Sequence, residues 1–317
     1  MKKSRLIRRI SNSLLLTSCV ACLPQKSSAT ETGVGRPITG QQVTPYAGIV
    51  PNTDEWIVSW ATIYYDGSLS ASKRISTGDE VTAGLNYQVI YTIANLVKTW
   101  GVTLGGWNFA SSIGVPVQYS NASSFNGLLR PDHGTQFADM FFAPVIAGYR
   151  LSPTDFTAFS LQIYAPTGAY NPNRLANAGQ NTWTFTPNIA YTKLFPKHGI
   201  ELTVNYGVEF YTTNGDTNYH NAPVSVLDVL ALKRFKSGWS AGIVGGWIQQ
   251  LGNDTGPTAD LLDGAKGYSV GAGPMVGWAG KIGTTPVSAN LRWVNEFASH
   301  ARPGGNAVQL SLSATFE

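Results

Sequence analysis

What the chain lacks narrows it first. Its two cysteines, Cys19 and Cys22, both lie within the first 29 residues. Beyond them there is no disulfide framework and no thiolate metal site. Charge is scarce as well: 13% of residues are Asp, Glu, Lys or Arg, against roughly 25% in ordinary soluble domains. No uninterrupted apolar run approaches the roughly 20 residues that a membrane helix needs. The four histidines, His133, His198, His220 and His300, show no paired spacing with another His or a Cys, so no metal is expected.

The first 29 residues have the layout of an export signal. Lys2, Lys3, Arg5, Arg8 and Arg9 form a basic start, and an apolar stretch around Leu14-Leu15-Leu16 runs on to Leu23. Ser27-Ser28-Ala29 then supplies small residues for cleavage. A rival reading is cleavage before Cys19 in LTSC, which would leave a lipid on that cysteine. Arg8-Arg9 is a weak twin-arginine pattern. The leader holds six of the 22 basic residues and no acid, so the remainder of the chain carries 16 basic against 18 acidic side chains, a net of −2. The basic balance of the whole chain thus belongs to the leader, and nucleic acid is excluded as a partner.

What is present is glycine and aromatic rings: 34 Gly, 14 Tyr, 13 Phe and 9 Trp. In TWTFTPNIAYT, Trp183, Phe185, Pro187, Ile189 and Tyr191 share one face, opposite Thr184, Thr186, Asn188, Ala190 and Thr192. In IELTVNYGVEFY, Ile200 to Phe210 alternate in the same way with Glu201 to Tyr211. A period of two held over 11 or 12 residues means strand. That length exceeds the ~5–6 residues of a soluble strand and suits the ~9–11 of a tilted membrane strand. The same reading gives twelve segments: near 55–66, 79–92, 100–119, 136–150, 154–165, 182–195, 200–212, 224–235, 238–251, 266–279, 286–298 and 306–317.

Short connections at 151–153, 196–199 and 236–238 alternate with longer polar ones at 120–135, 166–181, 213–223 and 252–265. Membrane barrels have short periplasmic turns and longer outer loops. Trp183, Trp239, Trp247, Trp278, Trp293, Tyr191 and Phe235 fall toward strand ends, where amphipathic rings favour the headgroup zone. The fold expected is all-β: a transmembrane antiparallel β-barrel of about 12 strands (10–14) over residues 55–317. Membrane lipid is then a partner. The segment 30–54, rich in glycine and proline, either enters the lumen as a plug or hangs in the periplasm.

One pentapeptide suggests chemistry. Gly267-Tyr268-Ser269-Val270-Gly271 fits the G-x-S-x-G of serine hydrolases, whose nucleophile sits between a strand and a helix. Here Gly271, Gly273 and Pro274 occupy the positions that helix would need. Ser269 is expected to point into the lumen from an ordinary strand, and the protein is not expected to be an enzyme. Gly271-Ala272-Gly273 lacks the spacing of a dinucleotide fingerprint, and no cofactor is implied. The lumen-lining candidates are Glu201, Asn205, Glu209, Asn290, Arg292 and Glu296, all on the polar faces of their strands. Two roles stay open for them: Arg292 pairs with a glutamate to hold the barrel's shape, or the group lines a narrow, selective path.

Three stretches carry a resemblance: YAPTGAYNPNRLANAGQNTWTF (164–185), VLDVLALKRFKSGWSAGIVGGWIQQLGNDTG (226–256) and LRWVNEFASHARPGGNAVQLSLSATF (291–316). They resemble the outer-membrane proteins of the meta-pathway phenol-degradation family. The resemblance implies a bacterial outer-membrane barrel that passes small hydrophobic, including aromatic, molecules. It implies no catalytic residue. The last strand, AVQLSLSATFE, is similar to the closing strand that the barrel-assembly machinery reads, with Phe316 one place short of the end. The expected function is passive uptake of such molecules. A structural or ligand-binding barrel without transport is the alternative, and an outer-membrane hydrolase comes third.

Overall fold

Backbone polarity decides how such a chain can cross a bilayer. Lipid offers no hydrogen bonds, so a sheet in it must close on itself and leave no edge. The computed structural model describes residues 35–74, 80–124, 130–261 and 266–317; the export signal expected over residues 1–29 lies outside them. Thirteen strands run in chain order: β1 (Trp56–Arg74), β2 (Glu80–Leu104), β3 (Trp107–Ser124), β4 (Asp132–Phe137), β5 (Phe141–Arg150), β6 (Asp155–Tyr164) and β7 (Thr184–Phe195), then β8 (Ile200–Tyr211), β9 (Val224–Arg234), β10 (Trp239–Gln250), β11 (Tyr268–Ile282), β12 (Thr285–His300) and β13 (Gly304–Phe316). A five-residue helix, α1 (Pro257–Leu261), sits in the connection between β10 and β11.

Every strand pairs antiparallel with its neighbours, and β13 returns to β1 from Trp56↔Phe316 to Ser68↔Gly304. That pairing closes the barrel. β4 and β5 both lie along β3, opposite 117–122 and 107–114 respectively, so together they fill one place in the wall. The wall therefore has twelve positions. From β6 to β10 the strand ends fall within two residues of those read from periodicity. The single strand expected at 136–150 is split at 138–140, and the break expected at 93–99 is continuous strand.

The alternation sorts the side chains by solvent. Outward lie Trp60, Ile189, Leu202, Val229, Ile243, Leu291 and Leu310, with Ile243 still 65% exposed at mid-strand. A soluble protein does not leave such a continuous apolar belt to water. Trp56, Phe235, Trp239 and Phe316 ring the short-turn end, while Trp183, Phe210, Trp247 and Phe297 stand near the other. The inward set includes Thr192, Glu201, Thr203, Asp228, Ser269 and Arg292, all buried.

Candidate functional site

Buried charge inside a barrel must be hydrogen-bonded or hydrated. Here the partner is the chain's own N-terminal segment. Residues 35–55 run through the lumen, from the long-loop end at Arg36 to the short-turn end where β1 begins. Asp228, at the middle of β9, accepts bonds from the Gly40 N–H (3.0 Å) and the Gln42 N–H (2.7 Å). Arg292 on β12 donates from Nη1 to the carbonyls of Gly40 (3.0 Å) and Val43 (2.8 Å). One carboxylate and one guanidinium thus grip a single turn of backbone from two strands.

Below and above this grip the pattern repeats. Glu201 accepts from the Tyr46 N–H at 2.6 Å and from Thr203, and it is ion-paired with Arg234. The Arg234 guanidinium lies 4.0 Å from the Tyr46 ring centre. Burial pushes the Tyr46 hydroxyl above its usual range, with Arg234 opposing the shift and Glu201 adding to it. The Gly48 N–H donates to Thr192 Oγ1 at 3.0 Å. Glu296 accepts from Thr39 Oγ1 (2.5 Å) and from the Tyr65 hydroxyl (2.8 Å). At the far end Arg36 spends its donors on Thr184 Oγ1, Asp139 and the Thr182 carbonyl.

Apolar packing reinforces one side. Val43, fully buried, joins Leu230, Leu232, Val244, Met275 and Val294 in a dry cluster against β9–β12. Close approach there depends on Gly246, where a Cβ would stand 2.6 Å from the Gly40 nitrogen. Any larger residue at 246 would displace the segment.

On the opposite side the lumen stays open. A cavity of about 150 Å³ lies between the segment and β1–β6, lined by Ile63, Tyr87, Tyr91, Phe141 and Tyr164 among others. A second, of about 190 Å³, runs from beside Glu209 toward the short-turn end past Asn188, Ser160 and Asn205. Gln42, Gln162 and Tyr164 line both, so those side chains stand between the two cavities. Over the mouth of the first, the connection 165–183 is folded inward by Asp132. That carboxylate takes two donors from Arg174 and the N–H groups of Leu175 and Ala176. The bond to Asp132 raises the Arg174 pKa above its usual value.

The six lumen candidates therefore have different surroundings. Glu201, Arg292 and Glu296 hold the N-terminal segment. Asn205 and Glu209 line the second cavity, with Glu209 accepting a bond from Tyr211. Asn290 stands on β12 opposite Gly277. Of the two roles left open for Arg292, pairing with a glutamate is not seen among the described residues: its Nη1 donates to the carbonyls of Gly40 and Val43. Asp228 and Arg36 were missed. Asp228 had a signal, since a lone carboxylate amid VSVLDVLAL in a membrane wall must face inward. Arg36 had none, because its segment carries no periodicity.

Ser269 is buried, and its hydroxyl is 2.8 Å from that of Thr39. Its strand continues unbroken to Ile282. His133 lies in β4, His300 ends β12 beside Tyr268, and His220 bridges to Thr255 in the long loops. His198 sits in a short turn. No group of three metal-ligating side chains occurs among the described residues.

A closed twelve-position antiparallel wall, apolar outside and polar inside, defines an outer-membrane β-barrel. The family described as "Putative MetA-pathway of phenol degradation" matches residues 70–312, and the chain belongs to it. No curated protein matches the sequence. Among solved structures, an outer membrane channel from Pseudomonas putida F1 overlays with a TM-score of 0.69 at 16% identity, over 87% of this chain and 100% of that one. Looser overlays are the beta domain of a Bordetella autotransporter (TM-score 0.48, 13% identity, 83% and 100% covered) and the Pseudomonas putida toluene transporter TodX (0.42, 7%, 92% and 98%).

Proposed function

We propose that the protein is an outer-membrane channel for passive entry of small hydrophobic molecules, exported by its N-terminal leader and not an enzyme. The observation that carries this is the pair of adjacent cavities beside the lumen-filling segment, with Gln42, Gln162 and Tyr164 bordering both. The segment narrows the lumen, so large hydrophilic solutes are excluded. What remains is a first cavity with aromatic walls, of a size that a single-ring molecule fits, and a second lined by small and polar side chains. The name of the Pseudomonas overlay, an outer membrane channel, and the phenol-degradation description of the family support the same reading. The exposed Phe316 at the end of β13 supports recognition of that strand by the barrel-assembly machinery.

The test is initial uptake of labelled toluene and phenol at low concentration, in cells with and without the gene, beside a small sugar. Faster entry of the aromatics alone supports the channel. Equal entry with and without the gene would remove the transport reading and leave a structural or ligand-binding barrel.

A further inference from the structure

The upper cavity is more than a gap in the path. Its volume of about 150 Å³ equals that of an engineered protein cavity that holds one benzene. Tyr87, Tyr91, Phe141 and Tyr164 give it aromatic walls, and Ile63 and Val89 complete an apolar surface. Polar side chains interrupt that surface, Gln42, Gln118 and Gln162 among them, and two others carry a buried atom without a partner. Gln41 and Gln309 both line the cavity, each is only 6% exposed, and the Oε1 of each is buried without a hydrogen-bond partner among the described residues. The Gln41 amide nitrogen is directed to the Thr39 carbonyl at 3.4 Å, which leaves its oxygen as the group offered elsewhere.

A buried acceptor without a donor is destabilising, since it has given up its hydrogen bonds to water. A ligand that brings an O–H or N–H relieves that cost, whereas a plain hydrocarbon does not. Charge is disfavoured, because the nearby Arg36 is already ion-paired with Asp139 and bonded to Thr184 and Thr182. We infer that this cavity is a binding site for a neutral single-ring aromatic bearing one hydrogen-bond donor, a phenol in preference to a ring hydrocarbon, with Gln41 and Gln309 as the specificity-determining acceptors. The inference rests on the channel reading and names the solute class that the path selects.

The experiment measures binding of phenol, toluene and anisole to the purified, folded barrel in detergent by saturation-transfer NMR. Toluene matches phenol in shape without the donor, and anisole carries an oxygen that can only accept. Gln309→Leu and Gln41→Leu are compared with the unaltered protein, and slow gel mobility before boiling confirms that each barrel is folded. The expected result is a phenol-over-toluene preference that falls about tenfold in either variant, the size of one hydrogen bond, while toluene binding holds or tightens. Gln309→Glu, which keeps an acceptor, is expected to retain phenol binding. An unchanged preference in both leucine variants, or anisole binding as well as phenol, overturns the inference. So does no binding at all in a barrel that still speeds uptake in cells, an outcome that leaves the channel standing.

Discussion

The two sides of the lumen differ sharply. Against β8–β12 the N-terminal segment is held by Glu201, Asp228, Arg292 and Glu296 and sealed by the Val43 cluster. Against β1–β6 at mid-depth it faces cavities. The difference lies in the side chains. The pinned side combines charges that grip backbone with Gly246, which admits it, and with branched aliphatics that fill the remainder. The open side packs the segment only toward its ends, Ile38 against Ile63, Tyr65 and Val89 and Val50 against Ala110 and Ala158, and between them rings and amides surround a gap. A polar, fully bonded interface fixes position, and an imperfectly packed one leaves room for a solute.

The largest effect is expected from breaking the grip. Arg292→Met leaves the buried carbonyls of Gly40 and Val43 without their donor, a loss of about 1–3 kcal/mol for each acceptor left unsatisfied. Hydrogen exchange of the amides at 38–46 should accelerate accordingly, while the strand amides of the wall stay protected. A much smaller effect on the segment is expected from the open side. Ser160→Phe fills the lower cavity, so aromatic uptake should fall well below that of the unaltered protein. Exchange at 38–46 should shift by less than about 0.5 kcal/mol, since the substitution touches nothing that holds the segment.

Much of the wall was legible because lipid and water impose opposite demands on alternate residues. From β6 to β10 that contrast runs the full length of each strand, and the ends emerge within two residues. It fails in β1 to β3. β1 and β2 are 19 and 25 residues long, lengths that exceed a membrane crossing, so lipid imposes alternation on only part of each. The true turn after β2 is Gly105-Gly106, both with positive φ. That dipeptide is a hairpin signal, passed over in favour of the stretch at 93–99. Parity alone identified Glu201, Arg292 and Glu296 as inward-facing, but not what they hold. Their partner is a segment without periodicity, and its backbone groups are invisible to any pattern of side chains.

The central claim is that solute passes beside a segment that stays in place. With no cysteine beyond residue 22, the claim can be tested by a single engineered link. Val43→Cys and Val294→Cys, at two positions of the same buried cluster, would be joined by a short cleavable dithiol-reactive crosslinker in whole cells, and phenol uptake measured before and after. The account predicts that uptake with the segment locked equals uptake with it free. Loss of uptake on crosslinking, restored by a reductant, would show that the segment must leave the lumen and would contradict the account.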